Sequence, residues 1–502
     1  MKKLFLLVTT LFTMLVLVAC GGGGTTTTTT KTGSTSSTTQ GSTSSYWDKD
    51  GNGVEDWQEE EITLRYATWQ HTSEDAITID SLLVEAFMER YPNITVEMQI
   101  VGYDTEWFAR MSELIETNEL PDVFLVNRLA EMLPLNMLGD ITDYFDNDPD
   151  TQYIFESVRN LNIYNDVRYG VPTFIYPQLW IVNLDVLSRA GIPTPTYSWT
   201  LSQMEAIAQA TYNENTNVVG QYGCQFYYRE YPKALKMLAN PTEGRRWYAT
   251  SFDGTQFNYD DPVMLQAFNH VSDITTSHAC TVEYSAEQLT EYYNDPAYDP
   301  RYNGKVAIWR QPSWEAKNYF NDFTFNWDVF PAPAAQAGET GVAGGNLDIG
   351  SISSTTEHPE AAYQLLKWMS FGEEGLVKRY ELFKEYNEMG ILTLSGNNYP
   401  FPVADYGLTD DGENRVWDNI PYTSVKPGFT SPEFIESLKI GAYQANKEFV
   451  GWDEADTAAY NYLYNATTGA EAYADVYRTL QEQANAAMQQ AIDALNSILD
   501  II

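Results

Sequence analysis

Positive charge is scarce in this 502-residue chain: 29 Lys and Arg stand against 69 Asp and Glu, a formal net charge of −40. A surface this acidic repels nucleic acid and anionic membranes, and it argues against a strongly anionic ligand. Cysteine and histidine are scarcer still, with three Cys and four His (His71, His270, His278 and His358). No HExxH and no Cys/His cluster is present, so the sequence lacks the usual zinc signatures. No G-x-x-x-x-G-K-[ST] loop and no G-x-S-x-G elbow occurs, so neither nucleotide hydrolysis nor α/β-hydrolase chemistry has its motif. After the first eighteen residues no apolar run approaches the length of a membrane-spanning helix. No repeat of fixed period is visible.

What is present begins at the N-terminus. Lys2 and Lys3 precede an apolar run from Leu4 to Val18, too short to cross a bilayer and suited to a signal-peptide core. The run ends in Leu17-Val18-Ala19-Cys20, which resembles the bacterial lipobox. That resemblance implies a signal peptide over residues 1–19 and a lipidated Cys20 carrying palmitate-type acyl chains, two or more of which hold a protein stably on a membrane. Residues 20–46 are almost all Gly, Thr and Ser, with nothing to bury. They read as a flexible tether with a reach of roughly 25–30 Å. Beyond Cys20 only Cys224 and Cys280 remain, and one disulfide or two buried thiols fit equally.

The segment Asp48-Lys49-Asp50-Gly51-Asn52-Gly53-Val54-Glu55-Asp56-Trp57-Gln58-Glu59 fits D-x-D-x-[DN]-G-x5-E at each defined position. Asp48, Asp50 and Asn52 present oxygens to one side of a tight loop, and Gly53 makes the turn. The Val54 carbonyl and Asp56 add ligands, and Glu59 closes the set as a bidentate carboxylate. The spacing predicts a structural Ca2+ site over residues 47–60, at the junction of tether and domain. The chain passes directly into a strand pattern, so a complete helix-loop-helix pair is not expected.

The remainder alternates strand and helix. Ile62 to Thr68 alternates apolar and polar, Ile79, Leu82, Leu83, Ala86 and Phe87 share one helical face, and Ile94 to Ile100 alternates again. A helix marked by Met111, Leu114 and Ile115 leads to the apolar run Val123–Val126, suited to a buried parallel strand. This opens a doubly wound α/β sheet, whose ligands sit beyond the carboxyl ends of the strands. A second set follows, with strands at Leu179–Val182, Lys305–Trp309 and Trp327–Phe330. Helices are expected at Asp185–Ala190, from Thr200, at Pro359–Ser370 and over about Glu471–Leu499.

Several stretches, in this order, are similar to the family 1 extracellular solute-binding proteins of ATP-binding-cassette importers. They are Leu83 to Ile94, Leu120-Pro121-Asp122-Val123, Tyr169-Gly170-Val171-Pro172, Trp180 to Asn183 through Ala190-Gly191-Ile192, Ser198-Trp199-Thr200-Leu201, Gly304 to Trp309, Gly344-Gly345 and His358 to Tyr363. The resemblance implies the type II periplasmic-binding-protein fold: two α/β lobes, each a mainly parallel sheet flanked by helices, closing on ligand about a hinge. Carried over, lobe 1 is residues 61–172 and 342–395, and lobe 2 is residues 173–341 and 396–502. The crossovers then fall near Pro172, Gly341 and Gly396. Val126 and Tyr176 stand where the maltose-binding members carry an aromatic and an acid.

A sugar offers flat C–H faces and many hydroxyls, so its site needs aromatic platforms with acids, amides and Arg. Placed at strand ends and crossovers, the candidates are Trp69 and Gln70, Asn127, Tyr176, Trp309, Trp314, Gly345 and Asn346, and Trp452. Trp314 is where the resemblance implies a stacking Trp. The expected protein is a non-enzymatic monomer, lipid-anchored outside the cell, that hands a carbohydrate to an ABC permease. Two alternatives remain: the same fold with a peptide or polyamine cargo, and a secreted glycosidase, which would need two carboxylates facing across a cleft.

Overall fold

The strand Ile62–Ala67 buries Ile62, Leu64 and Tyr66 while Thr63 faces outward, as its alternation predicts. The helix Ile79–Arg90 follows it, started by a capping box between Thr78 and Ser81. Strand Ile94–Met98 lies parallel to Ile62–Ala67 with Ile62 opposite Ile94, and the fully buried Val123–Val126 lies parallel on the other side. These positions come from a computed structural model, which describes residues 46–103, 105–227, 229, 231–388, 391–392, 400–420, 426–443 and 449–499. The expected signal peptide, Cys20 and nearly all of the tether lie outside the described residues.

One strand organises the rest. Val171–Asn183 runs for 13 residues and serves both halves of a curled sheet. Up to Pro177 it pairs antiparallel with Gly344–Ile352, from Gly350 opposite Val171 to Gly345 opposite Pro177. From Gln178 onward it pairs with Val306–Pro312 on one side, and from Trp180 with Trp327–Phe330 on the other. The parallel strand Val219–Tyr222 extends the second half beyond Val306–Pro312. Sequence reading places a crossover near Pro172 and a separate strand at Leu179–Val182. The structure joins them into one strand. Pro177, without an N–H to give, sits where the partner changes, and Pro172 sits beside a bulge between Asp348 and Ile349.

The fold is therefore mixed α/β with helices flanking the sheet, consistent with the type II periplasmic-binding-protein class. Among the described residues no helix is long and apolar enough to cross a membrane. The expected crossover at Gly396 lies outside the described residues. Further on, Phe401 pairs with Ile175, and Trp417 stacks on Phe155 and donates its indole N–H to the Ala404 carbonyl at 3.3 Å. Residues 400–420 thus still pack with the first half. The chain reaches the second half by Lys426, whose Nζ donates to the Trp327 carbonyl at 2.7 Å. Ala442–Tyr443 then runs parallel beside Gly344–Gly345.

The final helices, Trp452–Thr468 and Tyr473–Leu499, bury Leu480, Ala484 and Met488 in a separate apolar cluster with Phe257, Tyr259 and Phe268. Near the end of the last helix Ile498 is exposed. The acidic loop at the start is fastened to the first half rather than hanging between tether and domain. Trp47 stacks between Tyr144 and Tyr363 at 5.8 and 5.7 Å, Trp57 meets Tyr91 edge-on at 4.9 Å, and Lys49 pairs with Glu360.

Candidate functional site

Where the long strand changes partners, a cavity of about 520 Å3 opens. This is within the range of small-molecule sites, about 300–1,000 Å3. Its floor is the strand exchange itself: Gln178, Gly345, Asn346 and Ala442. A Cβ on Gly345 would lie 2.4 Å from the Tyr176 carbonyl oxygen and 2.7 Å from the Pro177 Cα, so only glycine lets the two strands approach here.

One wall is the end of Val306–Pro312 and the turn after it, with Arg310, Gln311, Trp314 and Glu315. These side chains are held by a directed relay. Trp309 donates its indole N–H to Gln311 Oε1 at 3.2 Å, and Gln311 Nε2 donates to Glu315 Oε2 at 2.7 Å. The Trp309 donor thereby decides which way the Gln311 amide faces. Arg310 lies over the Trp180 and Tyr227 rings at 5.7 and 5.2 Å.

The opposite wall carries Tyr222, Glu283, Asp299, Arg301 and Tyr302, and Arg229 lines a further side. Arg301 donates to both carboxylate oxygens of Asp299, the shortest bond being 2.9 Å, and lies 3.4 Å from Glu283. Burial first, then the nearby Glu315 and Asp299, pushes the Tyr302 phenol up to about 12; burial does the same for Tyr222. Both phenols stay protonated as donors. The lining thus holds three arginines and three carboxylates, with two amides from Gln178 and Gln311 and a third from Asn346.

The structure brings Trp314, Gly345 and Asn346 to this cavity. Tyr176 lies behind them: it is buried, opposite Asn346 in register, with its ring edge-on to Trp314 at 6.3 Å. Gln70 and Tyr176 line a smaller void under the first half, beside the buried Asp80–Arg379 ion pair at 2.7 Å. Trp69 packs edge-on against Trp107 at 5.2 Å, and Asn127 is half-buried just past its strand.

Trp69, Gln70, Asn127 and Tyr176 are thus outside this cavity's lining, and two further expectations need correction. Trp309 is 1% exposed and packs on Phe323 and Phe325, one step deeper on the same strand face as Gln311; it positions rather than stacks. Trp452 is 0% exposed. It belongs to the stripe of Trp452, Ala455, Ala459 and Leu463 that its helix turns to the core, a spacing the sequence displays.

Residues the sequence reading passes over include all six charged ones, Arg229, Glu283, Asp299, Arg301, Arg310 and Glu315, together with Tyr222, Tyr302 and Gln311. A signal was available in scarcity, since only 29 basic residues exist in the chain and Asp299-Pro300-Arg301-Tyr302 abuts the Gly304-Lys305 stretch.

At the acidic loop, carboxylate oxygens of Asp48, Asp50 and Asp56 lie within 4.8 Å of one another. Asp48 accepts the backbone N–H groups of Asn52 at 3.1 Å and Gly53 at 3.0 Å, and Glu59 accepts from Asn52 Nδ2 at 2.6 Å. Gly53 turns at φ +90°, and Val54 follows it, exposed. The donors are hard oxygens, the set that suits Ca2+. Cys224 and Cys280 are both buried and unbridged.

The bacterial extracellular solute-binding protein family matches residues 69–371. Among solved structures, an ABC substrate-binding protein from Listeria monocytogenes in complex with cycloalternan superposes with a TM-score of 0.57 at 19% identity, covering 86% of this chain and 100% of that one. A cyclic α-maltosyl-1,6-maltose binding protein from Arthrobacter globiformis gives 0.62 at 13% identity, over 86% of this chain and 100% of that one. The sugar-binding protein MalE from Xanthomonas citri gives 0.59 at 14% identity, over 85% and 98%.

Burial separates the tryptophans experimentally. Trp452→Ala and Trp309→Ala each lower unfolding stability by about 3–5 kcal/mol. Trp314→Ala stays within about 1 kcal/mol of the parent. Denaturant melts of the three variants check this ordering; equal losses would mean that Trp314 is a core residue as well.

Proposed function

The chain belongs to the bacterial extracellular solute-binding proteins, and from that premise we propose that it captures a carbohydrate in the cavity at the strand exchange and presents it to an ABC permease. The carrying observation is the lining itself. Trp314 supplies an indole for a sugar's C–H face, and amides, carboxylates and guanidinium groups surround it with acceptors and donors for hydroxyls. The ligands of two structural neighbours, cycloalternan and cyclic α-maltosyl-1,6-maltose, favour an oligosaccharide.

The balance of three Arg against three carboxylates also bears on the cargo. A polyamine site needs an excess of acid, which the surface of this chain has and its cavity lacks. A glycosidase needs one protonated and one charged carboxyl across a bond. Glu283 and Asp299 instead pair with Arg301, and Glu315 accepts from Gln311.

Capture would proceed by closure about the shared strand and Gly344–Gly345. Ligand shifts the population only by contacts made better in the closed state. In this reading Cys20 anchors a monomer to the outer face of the membrane, and Ca2+ held by Asp48, Asp50, Asn52, the Val54 carbonyl, Asp56 and Glu59 stiffens the segment that Trp47 and Trp57 fasten to the first half.

Calorimetric titration with a panel of defined oligosaccharides, spermidine and short peptides tests the cargo. At least one oligosaccharide binds, and Trp314→Ala weakens it tenfold or more. Binding of spermidine or peptide alone would refute the carbohydrate reading. For the cation, melting in Ca2+ exceeds melting in a chelator, and Asp50→Asn abolishes the difference while sugar affinity is kept. Identical melting curves in the two conditions would remove calcium from the account.

A further inference from the structure

Cys224 and Cys280 lie 56 positions apart in sequence, yet the fold sets them side by side. Tyr222 and Thr281 form a parallel bridge: the Gly223 N–H donates to the Thr281 carbonyl, and the Thr281 N–H donates to the Gln221 carbonyl, both at 2.9 Å. Cys224 follows the bridge on one segment and Cys280 precedes it on the other. Their side chains are 0% and 1% exposed in one apolar cluster with Trp199, Val271 and Ile274. The two thiols interact directly, and Cys224 Sγ lies 3.6 Å from Thr275 Oγ1. That shared contact pulls the Cys224 thiol down, whereas burial pushes the Cys280 thiol up.

The bridged segments are also the ones that carry Tyr222, Gly223 and Glu283 into the cavity wall. Extracellular proteins meet oxidants that cytosolic ones do not, and in such a compartment a contacting thiol pair is a preformed disulfide site. We propose that Cys224 and Cys280 close to a disulfide in the exported protein and thereby staple this wall of the cavity. The step uses an external disulfide as oxidant. One of the two protein thiolates attacks one of its sulfurs and releases a first thiol, leaving a mixed disulfide on that cysteine. The other thiolate then attacks that cysteine's sulfur and releases the second thiol. Two protein thiols are oxidised, one external disulfide is reduced to two thiols, and each cysteine gives up one proton. Because both sulfurs are enclosed in the finished fold, the exchange belongs to folding, before Trp199 and Ile274 cover them.

The inference rests on the family's extracellular location and not on the identity of the ligand. Its test uses the full chain refolded with oxidised glutathione, then unfolded and alkylated with and without prior reduction. Peptide mapping reads Cys224 and Cys280 separately from Cys20. Both positions resist alkylation until reductant is added, and one cross-linked peptide joins them. Full alkylation of both without reductant would overturn the proposal. The bridged protein melts several degrees above its reduced form, and the Cys224→Ser/Cys280→Ser double variant melts with the reduced form under either condition. Equal melting of oxidised and reduced parent protein would equally contradict a staple. The labelling is done on the parent chain, so a variant that fails to fold does not blunt the test.

Discussion

The strand Val171–Asn183 is held by main-chain hydrogen bonds to one half of the sheet and then to the other, and every wall of the cavity is placed by reference to it. A strand tolerates such a change of partner only if its backbone groups stay paired on both sides of the change. Pro177 meets that condition by having no N–H at the switch, and Gly345 meets it by having no side chain where the strands approach. Asn346, Gln178 and Pro312 come to one place as a consequence of this pairing.

Charge is then distributed against the background of the chain. A net charge of −40 spreads over a surface that attracts cations, yet the cavity gathers Arg229, Arg301 and Arg310 beside Glu283, Asp299 and Glu315. Salt bridges such as Arg301–Asp299 hold their carboxylates as oriented acceptors in a partly enclosed space, where a hydrogen bond is stronger than in water. The Trp309–Gln311–Glu315 relay adds direction to the opposite wall. A core indole thus shapes the cavity without lining it, because its one donor fixes an amide that does line it.

Much of this was legible before any coordinates. The alternation in Ile62–Ala67, the helical spacing of Ile79, Leu83 and Phe87 and the apolar run Val123–Val126 are local signals, and local signals survive into the structure. Trp314, Gly345 and Asn346 were reachable because strand ends and glycine pairs mark crossovers. The continuity of Val171–Asn183 was not, since one strand that changes partners midway carries no local mark of the change. The roles of Trp309 and Trp452 were misjudged for a related reason: strand ends and helix starts do not reveal depth. The Arg and acid residues of the far wall come from segments near 229, 283 and 301 that only tertiary pairing unites.

The account turns on the cavity lying between two parts that close on a sugar about a shared strand. Small-angle X-ray scattering of the protein, alone and saturated with the oligosaccharide it binds most tightly, tests that directly. Closure predicts a smaller radius of gyration in the bound form. An unchanged scattering profile at proven saturation would contradict it.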